Sequence, residues 1–344
     1  MAIEGELEKF LKTLQKFLII QTAFIGDVIL ATAVAEKLHQ YYPDAQLDFV
    51  LRKGNEGLLK DHPFIKTVVV WDKKKNKIKN LLSILRQVRA SKYNTVINLH
   101  RFASSGIIAG YSGAKQIVGF DKNPLSFLFT KKIKHEIGNG KHEVERNQQL
   151  IENITDANFA KPKLYPCKED TETVKKYKDK PYICIAPTSV WFTKQYPKDK
   201  WVELCDRLPT SLTVYLLGAP NDSAACEWIM NASKNKNIVN VAGKLNFLES
   251  AALIADAEMN YVNDSAPMHI ASAMNAKTTA IFCSTIPAFG FGPLSDNAHI
   301  IETEEPLDCR PCGLHGYKKC PKGHFKCGFL IDTNRLLTVN KIFN

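Results

Sequence analysis

The sequence of 344 residues has no run of about 18 apolar residues, so nothing in it reads as a membrane-spanning helix. Its opening, Met1 to Lys16, alternates charged and apolar residues and lacks the charged-then-apolar layout of a secretory signal. A cytoplasmic protein is therefore expected. There is no G-x-x-x-x-G-K-[ST] phosphate loop and no G-x-G-x-x-G dinucleotide fingerprint. Those absences argue against a P-loop ATPase and against an NAD or FAD enzyme. They leave a nucleotide diphosphate open, because helix amino termini hold phosphates without either motif. No short-period repeat is present, which excludes a solenoid. Acidic residues are the minority charge: 35 Asp and Glu stand against 46 Lys and Arg, a formal net charge of +11. Such a balance favours anionic partners without choosing among nucleic acid, lipid head groups and phosphorylated substrates.

What is present is the composition of an ordinary globular chain, 45% hydrophobic and 24% charged. The length suits two domains of roughly 150 to 170 residues. Phe10, Leu11, Leu14, Phe17 and Leu18 predict an amphipathic opening helix. Short apolar runs then read as buried parallel strands at Phe17–Gln21, Leu47–Arg52, Thr67–Trp71 and Thr95–Leu99. Helices are expected at Val28–Tyr41, Leu81–Ala90 and His142–Ile154. The rhythm weakens between Asn123 and Lys180, and the domain junction is placed near residues 155 to 180. It restarts with strands at Tyr182–Ala186, Leu212–Leu217, Ile238–Asn240, Met259–Val262 and Thr278–Phe282. Helices between them are expected at Lys198–Arg207, Asp222–Asn231, Leu248–Ala255 and Pro267–Met274. The expected fold is α/β, with two Rossmann-like doubly wound domains facing across a cleft: residues 1–165 and residues 166–344.

Four segments at strand ends carry candidate chemistry. In QTAFIGDVILAT (Gln21–Thr32), Asp27 opens a helix, and its carboxylate suits either a general base or a helix cap. In PTSVWFTKQYP (Pro187–Pro197), Ser189 and Lys194 offer a hydroxyl and a point charge to a diphosphate, or form a plain solvated loop. In LGAPND (Leu217–Asp222), Asp222 suits a ribose hydroxyl or, equally, a cap. In VNDSAPMH (Val262–His269), the stretch Asp264, Ser265, Ala266, Pro267, Met268 and His269 reads as a helix start whose backbone amides and dipole form an anion site. His269 adds a donor there or is a satisfied core histidine.

In these segments the sequence resembles glycosyltransferase family 9, the ADP-heptose:lipopolysaccharide heptosyltransferases. The resemblance is carried by IGDVILAT (Ile25–Thr32), SGAKQIVGFD (Ser112–Asp121), TKQYP (Thr193–Pro197), GAPND (Gly218–Asp222), GKLNFLE (Gly243–Glu249) and NDSAPMH (Asn263–His269). It implies the GT-B fold and an inverting transfer without a catalytic metal. Asp27 is then the base on the acceptor hydroxyl. Ser189, Lys194 and Asp222 contact the nucleotide, and Asp264 to His269 hold the diphosphate of an ADP-sugar. Ala266 stands where many members have glycine, and PTSVWFTK is not the commonest loop. The implied acceptor is the anionic inner core of lipopolysaccharide at the inner-membrane surface, where the basic run Lys73, Lys74, Lys75, Lys77 and Lys79 would help. Two other readings remain: another twin-Rossmann sugar-nucleotide enzyme, with a different donor sugar or as an epimerase, and a basic zinc-containing nucleic-acid binder. The second leaves the Asp27 and Asp264 segments without a role, so no nucleic-acid partner is expected.

Nine cysteines complete the picture. Cys167, Cys184, Cys205, Cys226 and Cys283 are scattered, several of them in apolar segments that suggest small core residues. Cys309, Cys312, Cys320 and Cys327 crowd together with His315 and His324 and match the donor set of a structural Zn²⁺. Free thiols are the other reading, and the position after the last expected strand argues for a structural rather than a catalytic role.

Overall fold

The computed structural model describes residues 15–338. The expected opening helix falls mostly on residues before that range. Phe17 and Leu18, which would close its apolar stripe, lie in the first strand instead. The chain divides into two compact units, Met1–Ile137 with Lys141–Tyr165, and Gly138–Gly140 with Pro166–Asn344.

The first unit contains β1 (Lys16–Ile20), α1 (Ile25–Tyr41), β2 (Gln46–Arg52), β3 (Ile65–Trp71), α2 (Lys77–Ser91), β4 (Thr95–Asn98), α3 (Ala103–Gly110), β5 (Gln116–Phe120), β6 (Lys131–Ile133) and α4 (Glu143–Gln149). Its six-stranded sheet has the order β3-β2-β1-β4-β5-β6, and every pairing is parallel. The second unit contains α5 (Lys168–Lys175), β7 (Tyr182–Ala186), α6 (Lys198–Arg207), β8 (Thr213–Leu216), α7 (Ser223–Ala232), β9 (Ile238–Asn240), α8 (Phe247–Ala255), β10 (Met259–Asn263), α9 (Ala266–Ala273), β11 (Thr278–Phe282), β12 (Ala298–Glu302), α10 (Lys326–Phe329) and α11 (Thr333–Thr338). Its parallel sheet runs β12-β11-β10-β7-β8-β9. Both orders are the doubly wound 3-2-1-4-5-6 pattern, in which the winding reverses between the first and fourth strands of each unit.

Central strands are buried on both faces because layers cover them, and most of their side chains are apolar. Leu18, Ile19 and Ile20 of β1 are fully buried, as are Ile183 and Ile185 of β7. Burying each such side chain contributes about 1.5–3 kcal/mol. Helix α1 is buried at Val28, Ile29, Leu30, Ala31, Ala33, Val34, Ala35 and Leu38, so it is enclosed rather than amphipathic. Lys37 is enclosed with it. Its ammonium is satisfied by the carbonyls of Asp156 and Asn158, both at 2.6 Å, and by the Asp156 carboxylate at 2.9 Å. In the second unit Tyr196 meets the edge of Trp201 at 5.2 Å, both fully buried.

Seven elements escape the sequence pattern: α3, β5, β6, α5, β12, α10 and α11. Half of helix α3 (ASSGIIAG) is serine and glycine, which have low helix propensity. Packing decides it, since a Cβ on Gly110 would stand 2.6 Å from Leu128 Cδ1. Strand β5 tolerates Gly119 for the same reason: a side chain there would meet the Phe129 ring at 2.5 Å. The helix after β1 also begins earlier than expected. It starts at Ile25, so Gly26 and Asp27 lie inside its first turn rather than before it.

Candidate active site

In each sheet, loops leave the strands on opposite sides where the winding reverses, and this opens a crevice at the carboxyl edge. In the first unit the crevice is bounded by the residues after β1 and after β4. Asp27 occupies the third position of α1. Its Oδ2 accepts the Phe24 amide at 3.1 Å, which caps the amino terminus of α1 from within. The cap and the base are therefore compatible readings of the same carboxylate. Burial first, and the neighbouring Glu143 carboxylate second, push the Asp27 pKa up to about 6. The Phe24 amide, Arg101 and its own amide act in the opposite direction.

Glu143 opens α4, which packs on α1. Its Oε2 accepts from Arg146 Nε at 2.7 Å, and both of its oxygens lie 3.3 Å from His135 Nε2. On the other side of the imidazole, Arg101 Nη1 lies 3.2 Å from Nδ1. Arg101 can only donate, so Nδ1 accepts and the ring proton sits on Nε2, facing Glu143. Burial alone would raise the Glu143 pKa, but His135 and Arg146 more than offset it and hold the carboxylate ionised.

Beside Asp27 the same edge carries cations. Lys73, two residues past β3, donates to the Thr22 carbonyl at 2.7 Å and to Thr22 Oγ1 at 3.2 Å. Thr22 Oγ1 is in turn 2.9 Å from His100 Nδ1, so the hydroxyl accepts from Lys73 and donates to the ring. Burial, Arg52 and Lys77 depress the Lys73 pKa to about 8. Burial, Lys73, Arg101 and Arg52 lower that of His100 to about 3, so the imidazole is neutral. The sequence reading missed Glu143, His135, His100 and Arg101. The one available signal was that His100 and Arg101 directly follow a strand end beside the reversal.

In the second unit the crevice lies between β7 and β10. Lys194 closes a short 3₁₀ turn, Phe192–Lys194, after β7, and Asp264 directly follows β10. Their side chains meet at 2.6 Å, Nζ to Oδ2, and Thr285 Oγ1 donates to the same oxygen at 2.6 Å. Asn263, to which the sequence assigned no role of its own, ties the two strand ends together. Its Oδ1 accepts the Tyr196 amide at 2.8 Å, and its Nδ2 donates to Ala186 O at 3.3 Å and Thr188 O at 3.4 Å. Ser265 is the extended N-cap of α9, and its hydroxyl donates to Asn263 O at 3.3 Å rather than capping the helix. Ala266 and Pro267 form the first turn as expected. The Met268 amide donates to Ser265 O at 3.1 Å and is thus already engaged, while the Met268 side chain is fully buried. His269 is buried in the same turn.

Ser189 is half-buried in the loop after β7, where its carbonyl accepts from Gln195 Nε2 at 2.7 Å. Asp222 is on the neighbouring turn after β8. There its Oδ2 accepts the Ala219 amide at 2.8 Å. That turn packs on Gly243, which has φ +75 and where a Cβ would stand 2.8 Å from Pro220 Cα. The structure thus brings Lys194 and Asp264 together and sets Asp222 on the adjoining strand end.

The cysteine-rich tail is attached to the Lys194 loop. Thr193 Oγ1 accepts the Tyr317 amide at 2.8 Å and lies 3.0 Å from Ser284 Oγ, and the Thr193 amide donates to Tyr317 O at 3.1 Å. Arg310 fastens the tail to the end of β11 through Cys283 O at 2.7 Å and Thr285 O at 2.8 Å, and it pairs with Glu302 at 2.5 Å. Cys309, Cys312, Cys320, Cys327 and His324 line one cavity of about 300 Å³ with Thr193 and Tyr317. Cys309 Sγ lies 3.9 Å from His324 Nε2. Burial, with the other thiols adding to it, pushes the Cys327 pKa up to about 12. Among the described residues no group of three Cys, His, Asp or Glu side chains converges as a metal site requires. The four cysteines are neighbours here without forming a coordination shell. His315 is in the same tail.

Two doubly wound parallel sheets in one chain, each presenting polar and charged groups where its winding reverses, define a GT-B protein. The chain belongs to glycosyltransferase family 9 (heptosyltransferase), whose sequence profile matches residues 81–316. It is a glycosyltransferase. It is 30% identical to lipopolysaccharide heptosyltransferase 3 of Escherichia coli K12 over 292 residues, 79% of this chain and 83% of that one. A family 9 glycosyltransferase from Veillonella parvula superposes with a TM-score of 0.83 at 20% identity, covering 95% of this chain and 96% of the other. The ADP-heptose heptosyltransferase II of E. coli gives 0.79 at 21% identity, covering 95% and 98%.

Proposed function

We propose that this glycosyltransferase moves a heptose from ADP-heptose to the anionic inner core of lipopolysaccharide, with inversion, at the cytoplasmic surface of the inner membrane. Asp27 of the first unit takes the proton of the acceptor hydroxyl. The freed oxygen attacks the anomeric carbon, the bond from that carbon to the diphosphate breaks, and ADP departs with the electron pair. Lys194 and the Ala266 amide at the start of α9 stabilise the charge that grows on the diphosphate, which is usually the largest catalytic term. Ser189 and Asp222 position the nucleotide. Asp27 is the observation that carries the reading: a carboxylate at the carboxyl edge of β1 whose pKa is pushed up to about 6, near the value a base working at neutral pH needs. The donor and acceptor follow from the relatives, which are named for ADP-heptose and lipopolysaccharide.

No metal enters the transfer. The cysteine cluster serves as a scaffold for the Lys194 loop through Thr193, Ser284 and Tyr317.

The test is a donor screen of the purified protein with a lipopolysaccharide core acceptor, comparing ADP-heptose with other nucleotide sugars, for the native chain and for Asp27→Ala. Turnover with ADP-heptose alone is expected. It should be lost in the variant while donor binding remains. Preference for another sugar, or release of an epimerised nucleotide sugar without transfer, would replace this reading.

A further inference from the structure

Two phenylalanine rings border the crevice of the first unit and take part in none of the chemistry above. Phe24 follows β1 and Phe102 follows β4, the two strands between which the winding reverses. Each is also the N-cap of the helix that comes next, α1 and α3. That position favours Ser, Thr, Asp or Asn, whose side chains accept a helix amide. A phenyl ring cannot, and neither residue makes a side-chain cap bond. His142 and Asn246 do make that bond at the starts of α4 and α8. Both rings also face water: Phe24 is 59% exposed and Phe102 67%. Apolar side chains scattered singly over a surface need no explanation. Two at matching positions on either side of one winding reversal, each in the place of a capping residue, break a local rule twice at one site. Such breaks gather where a protein binds or reacts.

The rings stand on fixed backbone. The Phe24 amide donates to Asp27, and the Arg52 guanidinium lies 4.7 Å from the centre of the Phe24 ring. The Phe102 carbonyl accepts Asn123 Nδ2 at 3.0 Å and Ser105 Oγ at 2.8 Å, and its ring makes an edge contact with His100 at 4.8 Å. We propose that Phe24 and Phe102 position the acceptor: their exposed faces stack against the C–H face of a pyranose ring and so present its hydroxyl to Asp27. The C–H bonds of a sugar ring carry a small positive charge and meet the negative face of an aromatic ring, while the hydroxyls at the rim stay free for hydrogen bonds. Aromatic walls around a few placed polar groups are how ligand sites fix orientation. The choice of a saccharide as occupant rests on the transferase reading; the placement of the two rings does not. An adenine would also stack on them, but the groups suited to a diphosphate, Lys194 and Asp264, belong to the second unit.

The experiment is steady-state transfer by the full chain to a delipidated inner-core oligosaccharide, with ADP affinity and melting temperature measured on the same proteins. Phe24→Ser and Phe102→Ser should each raise the acceptor KM by about tenfold and leave kcat within about threefold. ADP affinity should be unchanged, and the melting temperature should hold or rise, because serine caps a helix. Phe102→Ser is the cleaner of the two, since the Phe24 amide also bonds Asp27. Phe102→Trp should keep the native KM, whereas Phe102→Leu, apolar but without a flat face, should not. An unchanged acceptor KM in both serine variants, or a native KM in Phe102→Leu, overturns the proposal. Weakened ADP affinity with an unchanged acceptor KM overturns it in favour of nucleotide stacking. If the native chain transfers nothing, saturation-transfer NMR with the same oligosaccharide decides. Saccharide contact in the native chain that is lost in Phe24→Ser/Phe102→Ser supports the pair and counts against the transferase reading alone. No contact in the native chain, or contact that the double variant keeps, overturns the pair.

Discussion

Lys194 and Asp264 form an ion pair, Nζ to Oδ2 at 2.6 Å, at the point where the winding of the second sheet reverses. From the sequence Lys194 reads either as a point charge for a diphosphate or as a plain solvated loop residue. The ammonium is aimed and partly neutralised by a carboxylate that Thr285 also holds. A donor phosphate then meets a fixed cation rather than a flexible one, so less rotamer entropy is lost on binding. Lys194→Ala removes the phosphate contact and leaves a buried carboxylate without its cation. We expect the donor KM to rise by about 10- to 100-fold and stability to fall by about 2–5 kcal/mol. Calorimetric titration with ADP and thermal melts measure the two effects separately. Unchanged donor affinity would remove Lys194 from the site.

Asp27→Asn keeps the shape of the first turn and loses the proton acceptor. Turnover should fall by about 10²- to 10⁴-fold with donor affinity unchanged. In the native enzyme the base must be ionised, so kcat/KM should decline as pH drops through about 6, the value to which burial and Glu143 raise Asp27. A pH–rate profile that is flat from 5 to 8 would contradict this assignment.

Glu143 raises the Asp27 pKa by charge, and Arg146 and His135 keep it ionised. Neutralising it in Glu143→Gln removes that repulsion. Arg101 and the Phe24 amide, both of which lower the Asp27 pKa, then act against burial alone. The acidic limb of the profile should move to lower pH while the enzyme still turns over. Carbon-detected titration of the Asp27 carboxyl gives the same shift without substrate. A limb that stays in place would show the two carboxylates to be independent.

Gly316 has φ +74, and a Cβ there would stand 2.9 Å from Thr193 Oγ1 and 3.0 Å from Lys194 Cγ. Gly316→Ala should destabilise by more than about 1 kcal/mol, because both the backbone angle and the close approach are violated. It should also weaken donor binding by displacing Lys194. Melting and ADP titration of one variant read both. A loss of stability with unaltered ADP affinity would separate the tail from the donor loop.

Transfer should withstand EDTA, since the proposed charge stabilisation comes from Lys194 and a backbone amide. Loss of turnover on chelation, restored by added Zn²⁺, would point to a structural metal at Cys309, Cys312, Cys320 and Cys327.

Strand–helix alternation was legible in the sequence because buried parallel strands are continuous apolar runs. Tyr182–Ala186, Ile238–Asn240 and Thr278–Phe282 coincide with β7, β9 and β11. Asp27, Lys194 and Asp264 could also be picked out locally, since each sits where an apolar run gives way to a helix or turn. Only the tertiary structure decided what surrounds them. The partnership of Asp27 with Glu143 joins residues more than a hundred positions apart, through the packing of α1 on α4. The pairing of Lys194 with Asp264 depends on β7 and β10 being neighbours in the sheet. Helix α3 and strand β5 form against local propensity because their glycines admit Leu128 and Phe129. Periodicity records which side of a segment is buried, whereas a charge pair depends on which strands lie side by side, and that is set by the winding of the whole sheet.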